Sequence, residues 1–330
     1  MRFKLGKFDV VDVRTSQSSE VIDYGVKMIG APLEWYETMG KGIKVGIIDT
    51  GIDVKHEDLQ GRIKEYANFT SSDRQNVIDD NGHGTHVAGI IAAEKNNIGV
   101  VGVAPQADLY IAKAFDSKGS ADFGAVSRSL MWMAERNVDV VNMSFSSQTV
   151  NKQYYRLVSQ LYQSGITLVC AAGNEGLSQE GNTNTIGYPA GFDQTIAVTA
   201  VDIYKKRADF SSVGTAAEIA AAGVDIYSCY KDNSYATLSG TSMAAPSITG
   251  AVALLQAKAL KKQGKKLKPE EIRTMLHMYS EDLGEAGRDK EYGYGVFSFG
   301  RIRQDDDVNH HENTPEPGKK PSRPKSLFRR

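Results

Sequence analysis

Four short strings carry side chains able to move protons or to stabilise a developing charge. In "DTGID" (49–53) the carboxylate of Asp49 follows the apolar run "KVGII". In "NGHGTHVAG" (81–89) two imidazoles, His83 and His86, enter a small-residue helical pattern behind glycines. "AAGNEG" (171–176) offers the carboxamide of Asn174, and "GTSMAAP" (240–246) sets the hydroxyls of Thr241 and Ser242 ahead of "AVALLQAKAL". A proline costs about 3 kcal/mol inside a helix but little in its first turn, so Pro246 predicts a helix that starts near Ser242. Unpaired N–H groups and partial positive charge at such a start favour a developing anion, which suits a nucleophilic hydroxyl.

Each string has a plain structural explanation when taken alone. Ser242 could be an N-cap, and Asp49 a turn or cap carboxylate. Two histidines three apart could suggest zinc, but no HEXXH spacing and no third histidine or cysteine lies nearby.

The elements that must position these residues are legible as periodicity. Short apolar runs at 43–49, 107–115, 138–145, 166–172 and 194–201 alternate with helical patterns at 124–137 and 154–165. Strand, helix, strand, helix predicts parallel crossovers and one α/β domain with helices on both faces of the sheet. Strands covered on both faces read as continuous apolar runs rather than as alternation. Sites of open α/β sheets lie beyond the carboxyl ends of strands, where Asp49, Asn142, Ser144 and Asn174 stand.

Composition bounds the rest. The chain has 330 residues, 41% of them hydrophobic, and a formal charge of −1, so no general pull toward nucleic acid or membrane is expected. Charges at Lys4, Lys7, Asp9, Asp12 and Arg14 interrupt every apolar run of the N-terminus, so no signal-peptide core can be drawn there. No uninterrupted apolar run reaches membrane-spanning length, and the two cysteines, Cys170 and Cys229, form no secreted disulfide framework; the cytoplasm is the expected location. The segment 304–330 is polar, rich in proline and basic at its end, and reads as a disordered charged tail.

Together, and in the order Asp, His, Asn, Ser, the four strings resemble the signatures of the subtilisin-like serine proteases, from about Val21 to about Arg303. The resemblance implies a three-layer α/β sandwich with a mainly parallel central sheet, and a serine endopeptidase that hydrolyses peptide bonds through an acyl-enzyme. By matching position, Asp49, His83 and Ser242 would form the triad. Serine is a poor nucleophile at neutral pH, so an imidazole must take its proton and later return one to the leaving amine. The carboxylate holds the productive tautomer, and Asn174 with the Ser242 backbone N–H would meet the oxyanion.

The resemblance also implies an extended peptide held between two strand-like segments. Gly119, Ser120 and Ala121 would form one, and Ser144, Phe145 and Ser146 the other. Ala172, Gly173 and Gly187 would complete the slot for the residue before the cleaved bond. The family usually reads Ser-Leu-Gly-Gly where this chain has Ser144-Phe145-Ser146-Ser147, which predicts a narrowed slot; equal cleavage after Phe and Ala would refute that. Where the family commonly has histidine after the motif proline, this chain has Ser247.

A calcium site is implied at "AAEKNNIGVVGVAP" (92–105), with Asp58, Glu94, Asn96, Ile98 and Val100 as ligands and Glu20 as a further candidate. Oxygen donors, including backbone carbonyls, suit Ca2+. A second, weaker cation site would sit near Ala190, Phe192 and Glu218. The short N-terminal extension, 1–20, and "LVCAAGNEG" look most like the intracellular bacterial subtilisins, which implies protein or peptide substrates, an inhibitory extension and a homodimer. "FKLGKFDV" lacks the Leu-Ile-Pro-Tyr segment usual there. The competing reading is a non-catalytic peptide-binding module on the same scaffold, which loss of a triad residue or of Asn174 would favour. A nucleotide-binding α/β protein would need a phosphate-cradling glycine loop, and none follows a strand.

Overall fold

The computed structural model of the protein describes residues 1–6, 8, 10–15, 19–178 and 184–302, so the charged tail at 304–330 lies outside the described residues. In chain order the elements are β1 (Arg2–Lys4), β2 (Val10–Arg14), α1 (Tyr24–Met28), α2 (Ala31–Glu34), β3 (Lys44–Asp49), β4 (Ile63–Asn68) and α3 (His83–Ala92). Then come β5 (Asp108–Lys113), β6 (Ser120–Asp122), α4 (Phe123–Glu135), β7 (Val140–Met143), α5 (Lys152–Gln163), β8 (Thr167–Ala171) and β9 (Ile196–Val201). The last third holds β10 (Ala217–Ala222), β11 (Ile226–Tyr230), β12 (Ser234–Leu238), α6 (Thr241–Gln263), α7 (Pro269–Met278), β13 (Ser280–Glu281) and β14 (Val296–Phe297).

Nine strands form the central sheet in the order β13-β14-β10-β9-β8-β7-β3-β5-β4, and all pairings but β13 with β14 are parallel. Successive residues of its strands serve two separate cores. Val45, Ile47, Val140, Val169, Ala171, Ile196 and Val198 pack with α3 and α6, whereas Ile48, Val141, Leu168, Cys170 and Ala197 pack with α4 and α5. This two-sided burial is the reason the runs read as continuously apolar, and it makes the molecule a three-layer sandwich. From β3 the chain builds outward to β5 and β4, while β7 leads the other way, so the order reverses between β3 and β7. The crevice beyond the carboxyl ends of those two strands is where such a sheet places a ligand.

Helix α6 runs through the larger core. Among the described residues it is the one helix long and apolar enough to cross a membrane, yet 89% of its apolar stretch is buried inside the protein. Pro246 is the sixth residue of α6 rather than part of its first turn, which corrects the sequence expectation. Its missing N–H leaves the carbonyl of Ser242 without the usual partner four residues on. The hydroxyl of Ser144 fills that position, donating to Ser242 O at 3.0 Å.

Candidate active site

Asp49 ends β3, and His83 opens α3, whose N-cap is Gly82 with a left-handed φ of 104°. His83 Nδ1 lies 2.8 Å from Asp49 Oδ1, with both side chains fully buried. Donation from Nδ1 leaves the lone pair on Nε2. Among the described residues His83 Nε2 makes no hydrogen bond, and neither does Asp49 Oδ2. Ser242 is the second residue of α6, and its Oγ donates to Ser144 O at 3.1 Å instead of to the imidazole. Serine–imidazole bonds of this kind tighten when substrate binds.

Asn174 stands beyond β8. Its Oδ1 accepts from Thr241 N at 3.0 Å and from Thr241 Oγ1 at 2.8 Å. Those two bonds fix the amide, and a Cβ built on Gly6 would come 2.4 Å from Asn174 Nδ2. Thr241 was singled out by sequence only as a companion of Ser242; its role in orienting Asn174 spans 67 residues and has no local signal. Behind Ser144 a further chain runs from Thr249 Oγ1 to Asn142 Oδ1 (2.9 Å) and from Asn142 Nδ2 to Ser144 Oγ (2.9 Å).

The cleft strands are engaged by the chain's own N-terminus. Strand β1 pairs antiparallel with β6, in the register Phe3 with Ala121 and Lys4 with Ser120. On the other side, Lys4 and Ser146 exchange two 3.0 Å backbone bonds, and Leu5 N donates to Gly119 O at 3.0 Å. Phe3 is fully buried, edge-on to Phe145 (5.4 Å) and Tyr154 (5.1 Å). The ring of Phe8 lies 5.1 Å from that of His83. Beyond it, β2 adds antiparallel to β12.

This arrangement separates the residues expected around the slot. Ser146 Cβ is 3.1 Å from a Cβ built on Gly187, and Ser146 Oγ is 3.9 Å from one built on Gly173, so that side chain lies between the two glycines beside Ala172. Phe145 packs instead against Phe115 and against Phe3, three residues upstream of Gly6 along the bound segment, because neighbouring side chains on an extended backbone face opposite ways.

Around Asp58, Oδ1 accepts from Asn96 Nδ2 (2.9 Å), and Oδ2 accepts from Val100 N (2.8 Å) and Tyr235 Oη (3.0 Å). Burial pushes the Asp58 carboxyl up, and its hydrogen-bond donors are all neutral. Asn96 Oδ1 receives Ile98 N at 3.1 Å, Glu94 N donates to Asp58 O at 2.8 Å, and Glu20 Oε1 accepts from Asn97 N at 2.9 Å. The loop therefore folds around the buried Asp58 carboxylate with Asn96 beside it and Glu20 bonded to the same loop, oxygen-bearing side chains of the kind that suit a hard cation. His56, Asp58 and Cys229 also converge. Both nitrogens of His56 are engaged, with Ser234 O (2.9 Å) and Asp58 N (3.2 Å), so in this arrangement the ring offers no free lone pair to a metal, and burial holds the Cys229 thiol above its ordinary range.

The second expected cation position is filled by the protein's own donors. Glu218 takes two of the three Arg273 nitrogens, Nε (2.7 Å) and Nη2 (2.6 Å), and lies 2.8 Å from His277 Nε2. Thr195 Oγ1 reaches the carbonyls of Pro189 (2.8 Å) and Phe192 (2.9 Å) and approaches that of Ala190 (3.4 Å). His86 is a structural pin. Burial depresses it to about 3, and its Nε2 bonds Ile226 O (3.1 Å) and Ala236 O (3.0 Å).

The subtilase family profile matches residues 40–295, which hold all four strings. The chain belongs to the subtilase family. Subtilisin DY of Bacillus licheniformis is 42% identical over 85% of this chain and 98% of its own length. An intracellular serine protease of Paenibacillus polymyxa is 40% identical over 74% of this chain and 76% of its own length. Subtilisin E of Bacillus subtilis is 42% identical over 73% of this chain and 62% of its own. This subtilase is a serine endopeptidase, with the mainly parallel three-layer fold expected of it.

Proposed function

We propose that this subtilase cleaves proteins in the cytoplasm with Ser242 as nucleophile, His83 as general base and acid, Asp49 as the group that orients and stabilises the imidazole, and Asn174 as oxyanion donor. The observation that carries this reading is the buried 2.8 Å Asp49–His83 contact at the sheet's switch point, with the N-terminus of α6 facing the same crevice. Attack by Ser242 Oγ on the peptide carbonyl transfers its proton to His83 Nε2. The resulting oxyanion meets Asn174 Nδ2, which preorganised bonds to Thr241 hold in place. Collapse expels the amine, protonated by His83, and water repeats the sequence on the acyl-enzyme. On casein, the protein should show steady hydrolysis and Ser242→Ala none; persistence of cleavage in the variant would reject the mechanism. The 40% identity to an intracellular protease supports the cytoplasmic setting.

The extension at 1–20 is read as an inhibitor that occupies the cleft as a substrate would, with Gly6 beside Asn174 at the place of the attacked residue. The position of Ser146 between Gly173 and Gly187 supports a slot that favours small side chains there. Asp58, Asn96 and the carbonyls of Glu94, Ile98 and Val100, with Glu20 at the rim, are read as a calcium site. Calcium bound there supplies electrostatic cross-linking of the loop and offsets the buried Asp58 charge. Adding a chelator should lower the melting temperature of the parent and leave that of Asp58→Asn nearly unchanged. Equal melting with and without chelator in the parent would remove calcium from the account.

A further inference from the structure

We infer that Asp79 is a positioning residue for the proton-transfer pair, clamping the strand that carries Asp49 to the helix that carries His83. This rests on the catalytic reading of Asp49, His83 and Ser242 given above. Asp79 lies in neither element and is 3% exposed. Its Oδ1 accepts from Thr50 Oγ1 (2.8 Å), Gly82 N (2.8 Å) and Asn81 N (3.2 Å), and its Oδ2 from Thr85 N (2.8 Å) and Thr85 Oγ1 (2.7 Å). Every one of these partners donates. An ionised carboxylate, which accepts at both oxygens and donates at neither, is the side chain that satisfies all of them.

The five bonds join two pieces of backbone whose relative placement decides the chemistry. Gly82, the N-cap of α3, has no side chain to cap the helix, and Asp79 supplies the missing acceptor for the first turn, next to His83. Negative charge there also complements the helix dipole. Thr50, held by Asp79 Oδ1, receives Gly84 N on its hydroxyl at 3.0 Å and donates its own N–H to Asp49 Oδ1 at 2.8 Å. That Asp49 oxygen is the one His83 Nδ1 faces. A path of hydrogen bonds thus runs from Asp79 through Thr50 to Asp49, and a second from Asp79 into the turn bearing His83. The neighbouring cation, Lys113, does not substitute for it: Lys113 Nζ bonds Thr50 O (2.5 Å) and Asp80 Oδ1 (2.9 Å), which secures the backbone behind Asp49 and leaves the α3 terminus to Asp79.

Asp79→Asn turns one acceptor into a donor aimed at N–H or O–H groups, and Thr50→Val removes the hydroxyl that joins Thr50 to Asp79 and to Gly84 N while keeping the side-chain shape and the backbone N–H to Asp49. Displacement of catalytic groups on a sub-ångström to ångström scale costs up to about 100-fold in rate. In the full-length protein, after activity reaches its steady value, kcat is measured per serine titrated by an active-site phosphonylating reagent, together with KM and the pH profile of kcat/KM. The expected result is a fall in kcat of roughly 10- to 100-fold in Asp79→Asn at little change in KM, with a displaced acidic limb. Thr50→Val should show a smaller loss of the same kind, and the double variant less than the product of the two, because both act on one path. A merely structural Asp79 would lower the melting temperature and the titratable fraction while kcat per titrated serine and the acidic limb stayed at the parental values. That result in either single variant, or strict multiplicativity in the double, overturns the clamp. A parent protein that fails to titrate would refute the catalytic reading itself and the clamp with it.

Discussion

At the residue scale, the groups proposed to react are few, and they could be picked out in the sequence because side-chain type restricts role. A carboxylate, an imidazole, a hydroxyl and a carboxamide in four glycine-rich strings resembled one family, and the structure pairs Asp49 with His83 and ties Asn174 to Thr241, the neighbour of Ser242. The groups that aim them were much less visible. Thr241 acts on Asn174 across 67 residues, and Asp79 acts on Thr50 across 29, contacts that exist only after the chain folds. Asn174→Ala should lower kcat by about 10²- to 10³-fold with KM little changed, the size found for that donor in a subtilisin. A variant with parental kcat would show that the oxyanion is met elsewhere.

At the scale of elements, burial on two faces made β3, β5, β7, β8 and β9 readable, since each is buried along nearly its whole length and mostly apolar. Edge strand β4 escaped notice because Lys64 and Glu65 are exposed and break the pattern. Helix α6 was placed at the right residue for an incomplete reason. Pro246 sits a turn deeper than expected, and Ser144 takes over the carbonyl it leaves unpaired. Helix α1 carries a pH-sensitive cap: Asp23 accepts Gly25 N (2.7 Å) and Tyr227 N (3.1 Å), and burial pushes its carboxyl up to about 6. An unfolded aspartate ionises near pH 4, so between about pH 4 and pH 6 the folded state holds a proton that the unfolded state has released. Stability from this group is full below that window and is lost as pH rises through it, by roughly 3 kcal/mol for a gap of about two pH units. Chemical denaturation across pH 4–6 should show that slope in the parent and a flatter curve in Asp23→Asn; identical slopes would contradict the assignment.

At the scale of the whole molecule, the N-terminus and the cleft form one unit. Strand β1 lies between the two cleft segments, Phe8 covers the imidazole, and β2 ties the far side to β12. Sequence placed an extension here by resemblance but could not supply its register, because pairing of β1 with residues about 120 and 146 is set by tertiary contact. Burying a phenylalanine is worth roughly 1.5–3 kcal/mol, so Phe3 is a substantial part of the grip. Removing residues 1–18 should raise the initial rate on a peptide substrate and abolish any lag, with Phe3→Ala intermediate. Unchanged progress curves would mean that the extension does not restrain the enzyme. The most direct test of the account is to react the active protein with a serine-directed phosphonylating reagent and map the adduct by mass spectrometry. One adduct per chain on Ser242, formed in step with loss of proteolysis, is the expected result. An adduct on another residue accompanying that loss, or full labelling of Ser242 with proteolysis intact, would contradict it.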